Sequence, residues 1–272
     1  MHELIIEAGH TERNYWRDLF RYRELFYFLA WRDVLVRYKQ TVIGILWAVL
    51  RPLLQMIVFT IVFSRIAKLP AEGLPYPLMV FAAMLPWQLF ANSLTEGSNS
   101  LIGNANLISK IYFPRLIVPA SAVIVSFVDF AISMVLLAVL MAWYKLWPGW
   151  PLVALPIFTL MALLASAGAG AWLSALNVKY RDFKHVVPFI VQFGLYVSPV
   201  PYSSSAIPEK WRTLYALNPL VGVIDGFRWS ISGGNTPFPW QSLEIAAVII
   251  TIFLITGIWY FRKTERTFAD II

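Results

Sequence analysis

Six long apolar stretches recur along the 272-residue chain and limit what it can fold into. A helix needs about 20 mostly apolar residues to cross the ~30 Å hydrocarbon core of a bilayer. The stretches approach or reach that length, with approximate bounds at 43–63, 78–94, 116–144, 152–176, 186–202 and 243–261. The second and fifth are short and contain Pro86, Pro188 and Pro199, so kinks or partial re-entry are expected there. The sequence therefore predicts an all-α, polytopic membrane protein with six transmembrane helices.

The composition excludes a soluble fold. Apolar residues make up 59% of the chain and charged residues only 14%, whereas a soluble domain carries about 25% charged residues. The chain has no cysteine and three scattered histidines, which excludes disulfides, thiolate metal sites, a cysteine nucleophile and a histidine metal centre. The net charge of +7 does not require nucleic acid, because membrane proteins concentrate Lys and Arg in cytoplasmic loops.

The distribution of Lys and Arg predicts the orientation in the membrane. Fifteen of them lie before residue 43, in the second and fourth connections and after residue 261, whereas six lie in the other connections. Both termini are therefore expected in the cytoplasm, which agrees with an even number of crossings. The predicted organisation is a cytoplasmic tail (1–42), a six-span domain (43–261) and a C-terminal cytoplasmic tail (262–272). We expect no cleavable signal, because charges run throughout the first 40 residues.

Residues 15–39 are predicted to form an amphipathic helix on the cytoplasmic face of the membrane. Arg13, Arg17, Arg21 and Glu24 recur at helical spacing and form a polar stripe, with aromatic and aliphatic residues on the other faces. Two roles stay open for this helix. It is an interfacial anchor alone, or it also contacts a cytoplasmic partner.

The connection at 203–242 is external by the charge count but rich in apolar and aromatic residues. One helix is predicted at 209–217, after Pro208, and a second at 220–232, which ends at Gly233-Gly234. Two amphipathic helices here would dip back into the membrane edge or cap a cavity. We therefore expect a lid or gate rather than a solvated loop.

No catalytic motif is present. No glycine is followed by lysine, which excludes a phosphate-binding loop of the GxxxxGK[ST] type, and neither HExxH nor GxSxG occurs. Gly168 and Gly170 in the fourth span indicate small-residue helix packing. Gly222 and Gly226 form a weak GxxxG pattern in the external connection. The sequence gives no positive case for an enzyme.

Two charged side chains lie inside predicted spans, where charge is costly and usually faces a bundle interior or a water-filled path. These are Arg51 in the first span and Asp129 in the third. One possibility is that they pair with each other as a structural bridge. The other is that Arg51 faces a conduit and contacts an anionic substrate.

An aromatic stripe marks the fifth span. Phe189, Phe193 and Tyr196 fall at positions i, i+4 and i+7, with Gln192 and Tyr202 nearby. Flat aromatic faces accompanied by amide groups suit stacking on sugar rings. Helix–helix or lipid packing is an alternative explanation of the same pattern, and both explanations stay open.

Four ordered motifs carry a family resemblance. They are RYKQTVIGILWA from Arg37, followed by Arg51-Pro52; LPWQLFANS from Leu85, continuing through GNANLISKIYFPR at 103–115; NVKYRDFK from Asn177; and LNP…GFRW between 217 and 229. From about residue 15 onward, the sequence resembles the ABC-2 type polysaccharide export permeases. Members of that family export O-antigen, capsular or teichoic-acid-type polymers.

The resemblance implies a homodimeric channel in the inner membrane of a bacterium, joined to two copies of a separate cytoplasmic ABC ATPase. That partner would bind ATP and Mg, and the cargo would be a lipid-linked polysaccharide. This chain would hold no cofactor, would contact membrane lipids and would bind no nucleic acid. A short helix at 104–111 would be the main coupling element, and the residues expected to contact the ATPase are Asn104, Leu107, Lys110, Tyr112, Arg115, Lys179, Arg181 and Asp182.

The same resemblance implies substrate and gate residues. The first and fifth spans would line the conduit, and the expected substrate contacts are Arg51, Gln55, Phe59, Phe189, Phe193 and Tyr196. The hairpin at 208–232 would supply outer gate helices, with gate residues Trp211, Tyr215, Phe227 and Trp229. An aromatic conduit would offer weak sliding contacts to a polymer whose unsatisfied buried hydroxyls each cost roughly 2–7 kcal/mol.

Three rival readings remain. An ABC-2 permease for a drug or lipid shares the architecture, and only the motifs at 103–115 and 217–229 argue against it. A membrane-embedded acyl or glycosyl transferase would need buried catalytic carboxylates or histidines, and only Asp129 is available. An ion-coupled secondary transporter would more often show internal repeats, and none is convincing between 43–144 and 152–261.

Overall fold

The computed structural model describes residues 15–39, 44–70 and 73–268, and the regular secondary structure of these residues is entirely helical. The prediction of an all-α fold is thus confirmed for the described residues. The α-helices are α1 (Tyr15–Arg21), α2 (Arg23–Lys39), α3 (Gly44–Phe59), α4 (Tyr76–Gly103), α5 (Ala105–Lys110), α6 (Ile117–Trp143), α7 (Leu155–Lys179), α8 (Phe183–Val197), α9 (Glu209–Tyr215), α10 (Pro219–Ile231) and α11 (Trp240–Thr264). A π-helical segment, Thr60–Ile66, continues α3, and a short 3-10 segment, Trp150–Ala154, precedes α7.

Five helical segments in the described residues are long and apolar enough to cross a membrane: Leu46–Ile66, Tyr76–Gly103, Ile117–Trp143, Trp150–Lys179 and Trp240–Thr267. They confirm that the chain is a multi-pass membrane protein. The second predicted span is longer than expected, because α4 has 28 residues and continues through Pro86.

The fifth predicted span, at 186–202, forms a helix of only 15 residues, α8. At 1.5 Å per residue this helix is about 22 Å long, which is less than the ~30 Å hydrocarbon core. The residues that follow, Ser198 to Pro201, are buried but not helical. The count of six crossings therefore stays a prediction that depends on this non-helical extension.

Helix α4 is the centre of the molecule. In its most apolar window 78% of the residues are buried, against 17–33% in the other four spanning segments. It packs against α6, α7 and α10, and residues Leu78 to Trp87 are all buried. The main apolar core is therefore built around α4, while the outer helices leave wide apolar faces for lipid or for another protein chain.

Helices α7 and α11 approach each other backbone to backbone. A Cβ atom added at Gly168 would lie 2.6 Å from the carbonyl carbon of Phe253, and one added at Gly257 would clash with the carbonyl oxygen of Gly168. This confirms small-residue packing at Gly168. Gly170 does not take part, since a Cβ atom there would meet nothing within 4 Å.

Both external helices form close to their predicted bounds, at Glu209–Tyr215 and Pro219–Ile231. Helix α10 is buried along nearly its whole length, and Phe227 and Trp229 belong to the main core. In the GxxxG pair, Gly226 lies against the Phe158 ring of α7, where an added Cβ atom would be 2.6 Å from the ring. Helix α10 is thus part of the core, whereas α9 is exposed and carries Trp211 on its surface.

The predicted amphipathic helix forms as α1 and α2, separated by a turn at Tyr22. Arg17, Arg21 and Glu24 are exposed, as the polar stripe predicts, and Arg13 lies outside the described residues. Helix α2 packs on α6 and buries Leu29. Five aromatic side chains of α1 and α2 remain exposed, which is typical of an interfacial helix: Trp16, Phe20, Tyr27, Phe28 and Trp31.

Candidate functional site

A polar cavity of about 550 Å³ lies between α3, α4, α6 and α8, among the spanning helices. Two tryptophans and Phe130 form part of its wall. The remaining lining is unusually polar for this depth, and its polar or charged members are Arg37, Arg51, Gln55, Gln88, Asn92, Ser126, Asp129, Ser133 and Gln192. Polar groups at membrane depth are tolerated where they line a cavity or satisfy one another. This cavity is therefore the candidate path for a polar ligand.

Asp129 pairs with Arg37 of helix α2 and not with Arg51. Arg37 Nη2 lies 2.7 Å from Asp129 Oδ2, and Arg37 Nη1 lies 3.3 Å from Glu96 Oε1. The Tyr38 hydroxyl donates a hydrogen bond to the same Asp129 carboxylate. Burial and the neighbouring carboxylate raise the pKa of Tyr38, so its hydroxyl stays protonated and donates. The interfacial helix is thereby tied to the middle of α6.

Arg51 has no carboxylate partner among the described residues. It is exposed, lines the cavity, and its guanidinium carbon lies 6.0 Å from the centroid of the Trp47 ring. One turn further along α3, Gln55 Oε1 accepts a hydrogen bond of 3.3 Å from Gln88 Nε2. The geometry thus favours the second possibility for Arg51, a cation that faces a polar path.

The other predicted substrate residues fall into two groups. Phe59 is buried in the main core, stacks edge-on with Phe63 and does not line the cavity. On α8, Phe189 and Phe193 stack with their ring centroids 6.1 Å apart, and with Tyr196 they are exposed on the outside of the chain. The opposite side of α8 faces α4, since a Cβ atom at Gly194 would lie 2.7 Å from the Trp87 side chain.

The predicted coupling region centres on α5, which forms as a helix of six residues. Ile108 is 4% exposed and belongs to a second apolar cluster with Leu29, Phe113 and Phe268. This cluster joins the interfacial helix, α5 and the C-terminal segment. Helix α5 therefore packs in the same apolar cluster as the interfacial helix and the end of α11.

Some predicted coupling residues form hydrogen bonds within the chain, and others are exposed. Asn104 accepts a hydrogen bond of 2.9 Å from Arg32 Nη2 and donates one of 2.9 Å to the Ser100 carbonyl. Arg115 donates to the Glu265 carbonyl. Leu107 is half-buried, and the exposed members of the set are Lys110, Tyr112, Lys179, Arg181 and Asp182.

The end of α11 and the residues after it contact helix α1, through interactions that the sequence did not predict. The Tyr15 hydroxyl donates to Glu265 Oε2 at 3.1 Å, and the guanidinium carbon of Arg262 lies 4.5 Å from the centre of the Tyr15 ring. Burial and the Glu265 carboxylate raise the pKa of Tyr15, which keeps the hydroxyl protonated as a donor. No local sequence pattern links residues this far apart.

A buried arginine on α10 holds the non-helical segment after α8. Arg228 is 4% exposed and donates hydrogen bonds of 2.9 Å to the Tyr202 carbonyl and 3.1 Å to the Val200 carbonyl. Irregular backbone at membrane depth requires internal partners of this kind. Sequence reasoning counted Arg228 only as an external cation, although it stands inside the GFRW motif that carries the family resemblance.

Two of the predicted gate residues are fixed in the core and two lie nearer the surface. Phe227 and Trp229 are buried in the main core. Tyr215 is half-buried and donates a hydrogen bond of 3.0 Å to the Tyr202 hydroxyl, while Trp211 is exposed. Of the four residues, only Trp211 is exposed, and the role of this region as a gate stays a prediction. Among the described residues, no group of His, Asp and Glu side chains is arranged to hold a metal ion.

Comparison with known proteins agrees with this architecture. Residues 24–231 match the family of ABC-2 type transporters. The chain is 30% identical to the O-antigen export system permease protein RfbA of Myxococcus xanthus, over 92% of this chain and 96% of that protein. It is also 30% identical to the protein of the same name from Klebsiella pneumoniae, over 89% and 92% of the two chains, and 25% identical to the inner membrane transport permease YadH of Escherichia coli K12, over 74% and 82%. The chain is therefore a multi-pass inner-membrane permease that belongs to the ABC-2 type transporter family.

Proposed function

We propose that this permease is the membrane subunit of an ATP-driven exporter of lipid-linked, O-antigen-like polysaccharide. The observation that carries the proposal is the polar cavity among the spanning helices. It is lined by amides, hydroxyls and Arg51, which has no carboxylate partner among the described residues. The names of the RfbA relatives supply the cargo class. The chain has no nucleotide-binding motif, so the energy comes from a separate ATPase that binds ATP and Mg.

The cavity chemistry suits a hydroxylated polymer. A sugar hydroxyl that loses water needs a hydrogen-bonding partner, because leaving it unsatisfied costs roughly 2–7 kcal/mol. Gln88, Asn92 and Gln192 offer amide donors and acceptors, and Ser126 Oγ is buried without a hydrogen-bond partner among the described residues. Arg51 adds a cation for the phosphate that links a polymer to its lipid.

The working unit is a homodimer with the conduit at the subunit interface. The exposed aromatic stripe of α8, with Phe189, Phe193 and Tyr196, supports this proposal because it lies on the same short helix as the cavity residue Gln192. When two copies face each other across this helix, the stripe and the cavity form one continuous lining. Aromatic faces then give the sugars sliding contacts of about 0.5–1.5 kcal/mol each.

Coupling to two ATPase copies passes through the exposed residues of α5 and of the connection after α7. Substitutions at Lys110 and Tyr112 test the contact with the ATPase most directly, because both side chains are exposed. Lys110→Glu combined with Tyr112→Ala should abolish co-purification of the ATPase, whereas Lys145→Glu should leave it intact. Arg115 is excluded from the test, because its bond to the Glu265 carbonyl makes any loss ambiguous. Undiminished co-purification would contradict the coupling assignment.

Six crossings with both termini in the cytoplasm complete the proposal, with α8 and its non-helical extension as the fifth crossing. The absence of cysteine allows single cysteines to be labelled uniquely. Cysteines at Lys145 and Glu209 should react with an impermeant maleimide from outside, and one at Lys179 only after the membrane is opened. Equal behaviour of the Lys179 and Glu209 positions would show that α8 does not cross.

The decisive experiment on cargo is deletion of the gene in the source cell. We expect surface polysaccharide to be lost and lipid-linked polymer to accumulate inside. Complementation with Arg51→Gln should restore export poorly, whereas Arg65→Gln, which changes an exposed arginine outside the cavity, should restore it fully. Unchanged surface polysaccharide without a redundant exporter would refute the cargo and favour an ABC-2 permease for a drug or another lipid.

A further inference from the structure

A second pocket, of about 360 Å³, lies in the connection between α8 and α11. Its walls come from the short 3-10 turn Ser204–Ala206, from α9, from α10 and from residues 236–242 at the start of α11. It shares no lining residue with the polar cavity among the spanning helices. The connection is the one that the proposed orientation places outside the cell.

One wall of this pocket is an aromatic surface that the core holds in place. The rings of Phe238 and Trp240 lie 4.5 Å apart between their centroids. Phe238 also meets the buried ring of Trp229 edge to face, with the centroids 4.7 Å apart. Trp240 itself is 68% exposed. The wall therefore presents an indole ring that packs on Phe238 and that the described residues leave largely uncovered.

Contacts between the elements fix the other walls. A Cβ atom added at Gly222 of α10 would lie 2.7 Å from the carbonyl carbon of Ser242, so α10 and the start of α11 meet backbone to backbone. Arg212 of α9 donates a hydrogen bond of 3.1 Å to the carbonyl of Ile207, which follows the 3-10 turn. A ligand thus meets a pocket that is already formed, which lowers the free-energy cost of ordering the site.

Hydroxyl and amide groups make up most of the polar lining. They belong to Ser204, Ser205, Thr236, Gln241 and Ser242. Gln241 is exposed, and its Nε2 donates a hydrogen bond of 3.3 Å to Thr213 Oγ1 of α9. A side-chain amide has a second hydrogen to donate and an oxygen that accepts, so Gln241 can bind a ligand hydroxyl while it keeps this bond.

The charged lining residues are of both signs, namely Arg212, Asp225 and Arg228. Arg228 donates to two backbone carbonyls, and Arg212 Nη1 lies 3.8 Å from Glu209 Oε1. Because both cations already have partners, the pocket is not built to select a phosphate. An aromatic ring beside amides and hydroxyls suits a sugar instead, since the C–H face of a sugar stacks on the ring while its hydroxyls form hydrogen bonds.

We propose that this pocket binds one sugar unit of a polysaccharide. The sugar ring stacks on Trp240, and its hydroxyls form hydrogen bonds with Gln241 and with the hydroxyl groups of the lining. The choice of the exported polymer as the source of the sugar rests on the proposed function. The sugar chemistry of the pocket does not, because it depends only on the residues that line it.

Calorimetric titration of the protein in lipid nanodiscs tests the proposal, since maltoside detergents themselves carry sugar. The probe is the oligosaccharide fraction that mild acid releases from the surface polysaccharide of the source cell. Loss of one aromatic stacking contact by Trp240→Ala should raise the dissociation constant about 2–12-fold. Trp240→Ala with Gln241→Ala also removes a hydrogen bond and should raise it about 5–150-fold.

Trp211→Ala is the matched control, because Trp211 is 52% exposed on the neighbouring helix α9 and does not line the pocket. It should leave the dissociation constant unchanged. If Trp211→Ala weakens binding as much as Trp240→Ala does, both side chains act as interfacial anchors and the proposal is overturned. It is also overturned if the wild-type protein binds none of the fraction.

A third variant separates the two sites. Arg51→Gln changes the polar cavity and should leave the Trp240-dependent binding in place. If Arg51→Gln abolishes binding while Trp240→Ala does not affect it, the sugar lies in the polar cavity alone and the proposal fails. None of these measurements involves transport. Failure of the proposed function would appear separately, as unchanged surface polysaccharide after deletion of the gene.

Discussion

Gly168→Ala tests whether the backbone contact between α7 and α11 sets the packing of the last spanning helix. The new Cβ atom would lie 2.6 Å from the carbonyl carbon of Phe253 and 2.7 Å from the nitrogen of Leu254. These are backbone atoms, so no side chain can rotate away and the two helices must separate. Over-packing of this kind costs about 1–3 kcal/mol. Helix propensity acts in the opposite direction, because alanine is favoured over glycine by about 0.8–1 kcal/mol.

Gly170→Ala is the matched reference. It lies on the same helix two residues away, and its Cβ atom would meet nothing within 4 Å. The gain in helix propensity is common to both variants, so the difference between them isolates the clash, about 1–3 kcal/mol. For chains of about 150–250 residues, 1 kcal/mol corresponds to about 2–4 °C in the unfolding temperature.

Thermal unfolding in detergent, followed by the fluorescence of the 12 tryptophans, measures this difference. Gly168→Ala should unfold about 2–12 °C below Gly170→Ala. If the two variants unfold at the same temperature, the helices are not in backbone contact and the reasoning fails. A fall in both variants would instead mean that Gly170 also faces a packed neighbour.

Three further predictions concern the polar contacts and the aromatic stripe. Arg228→Met removes charged hydrogen bonds of 2.9 and 3.1 Å, each worth about 1.5–3 kcal/mol, so it should destabilise the protein by about 3–6 kcal/mol. An unchanged unfolding temperature would show that Arg228 does not hold the segment after α8. Arg37→Gln and Asp129→Asn should show a coupling of about 0.5–3 kcal/mol in a double-mutant cycle, whereas strictly additive losses would show that the ion pair does not matter. Phe193→Ala with Tyr196→Ala should leave the unfolding temperature unchanged, because both side chains are exposed. The loss of two contacts of about 0.5–1.5 kcal/mol each should raise the polymer concentration that half-maximally stimulates ATP turnover about 5–150-fold, and unaltered stimulation would remove sugar stacking from the proposal.

Local sequence signals located the helices well because the relevant interactions are local. Proline and asparagine before α9 and α10, and the glycine pair after α10, placed both helices within two residues of their observed ends. The short helix at 104–111, which was expected from the family resemblance, forms at Ala105–Lys110. The count of long apolar stretches was sufficient to predict a multi-pass membrane protein, because only a helix satisfies its own backbone within a bilayer.

Contacts between distant residues could not be inferred in the same way. The Tyr38–Asp129 hydrogen bond joins residues 91 positions apart, and the Tyr15–Glu265 bond joins residues 250 positions apart. The partner of Asp129 came from the interfacial helix, whereas the sequence suggested Arg51 because both lay inside predicted spans. A charged residue inside a span indicates that it has a partner or faces a cavity, but the sequence does not identify that partner or cavity.

The sequence alone determined that the chain is helical and membrane-spanning, that it has no nucleotide motif, and which motifs it shares with ABC-2 permeases. The tertiary structure decided that α4 is the central helix, that α10 belongs to the core, and that Phe59 is buried while Phe193 is exposed. The physical reason for this division is that the solvent around the spanning helices is lipid and not water. Lipid tails are as apolar as a protein core. Positions that face lipid and positions that face the core are therefore both occupied by apolar side chains. Only the packing of the helices against one another tells the two apart.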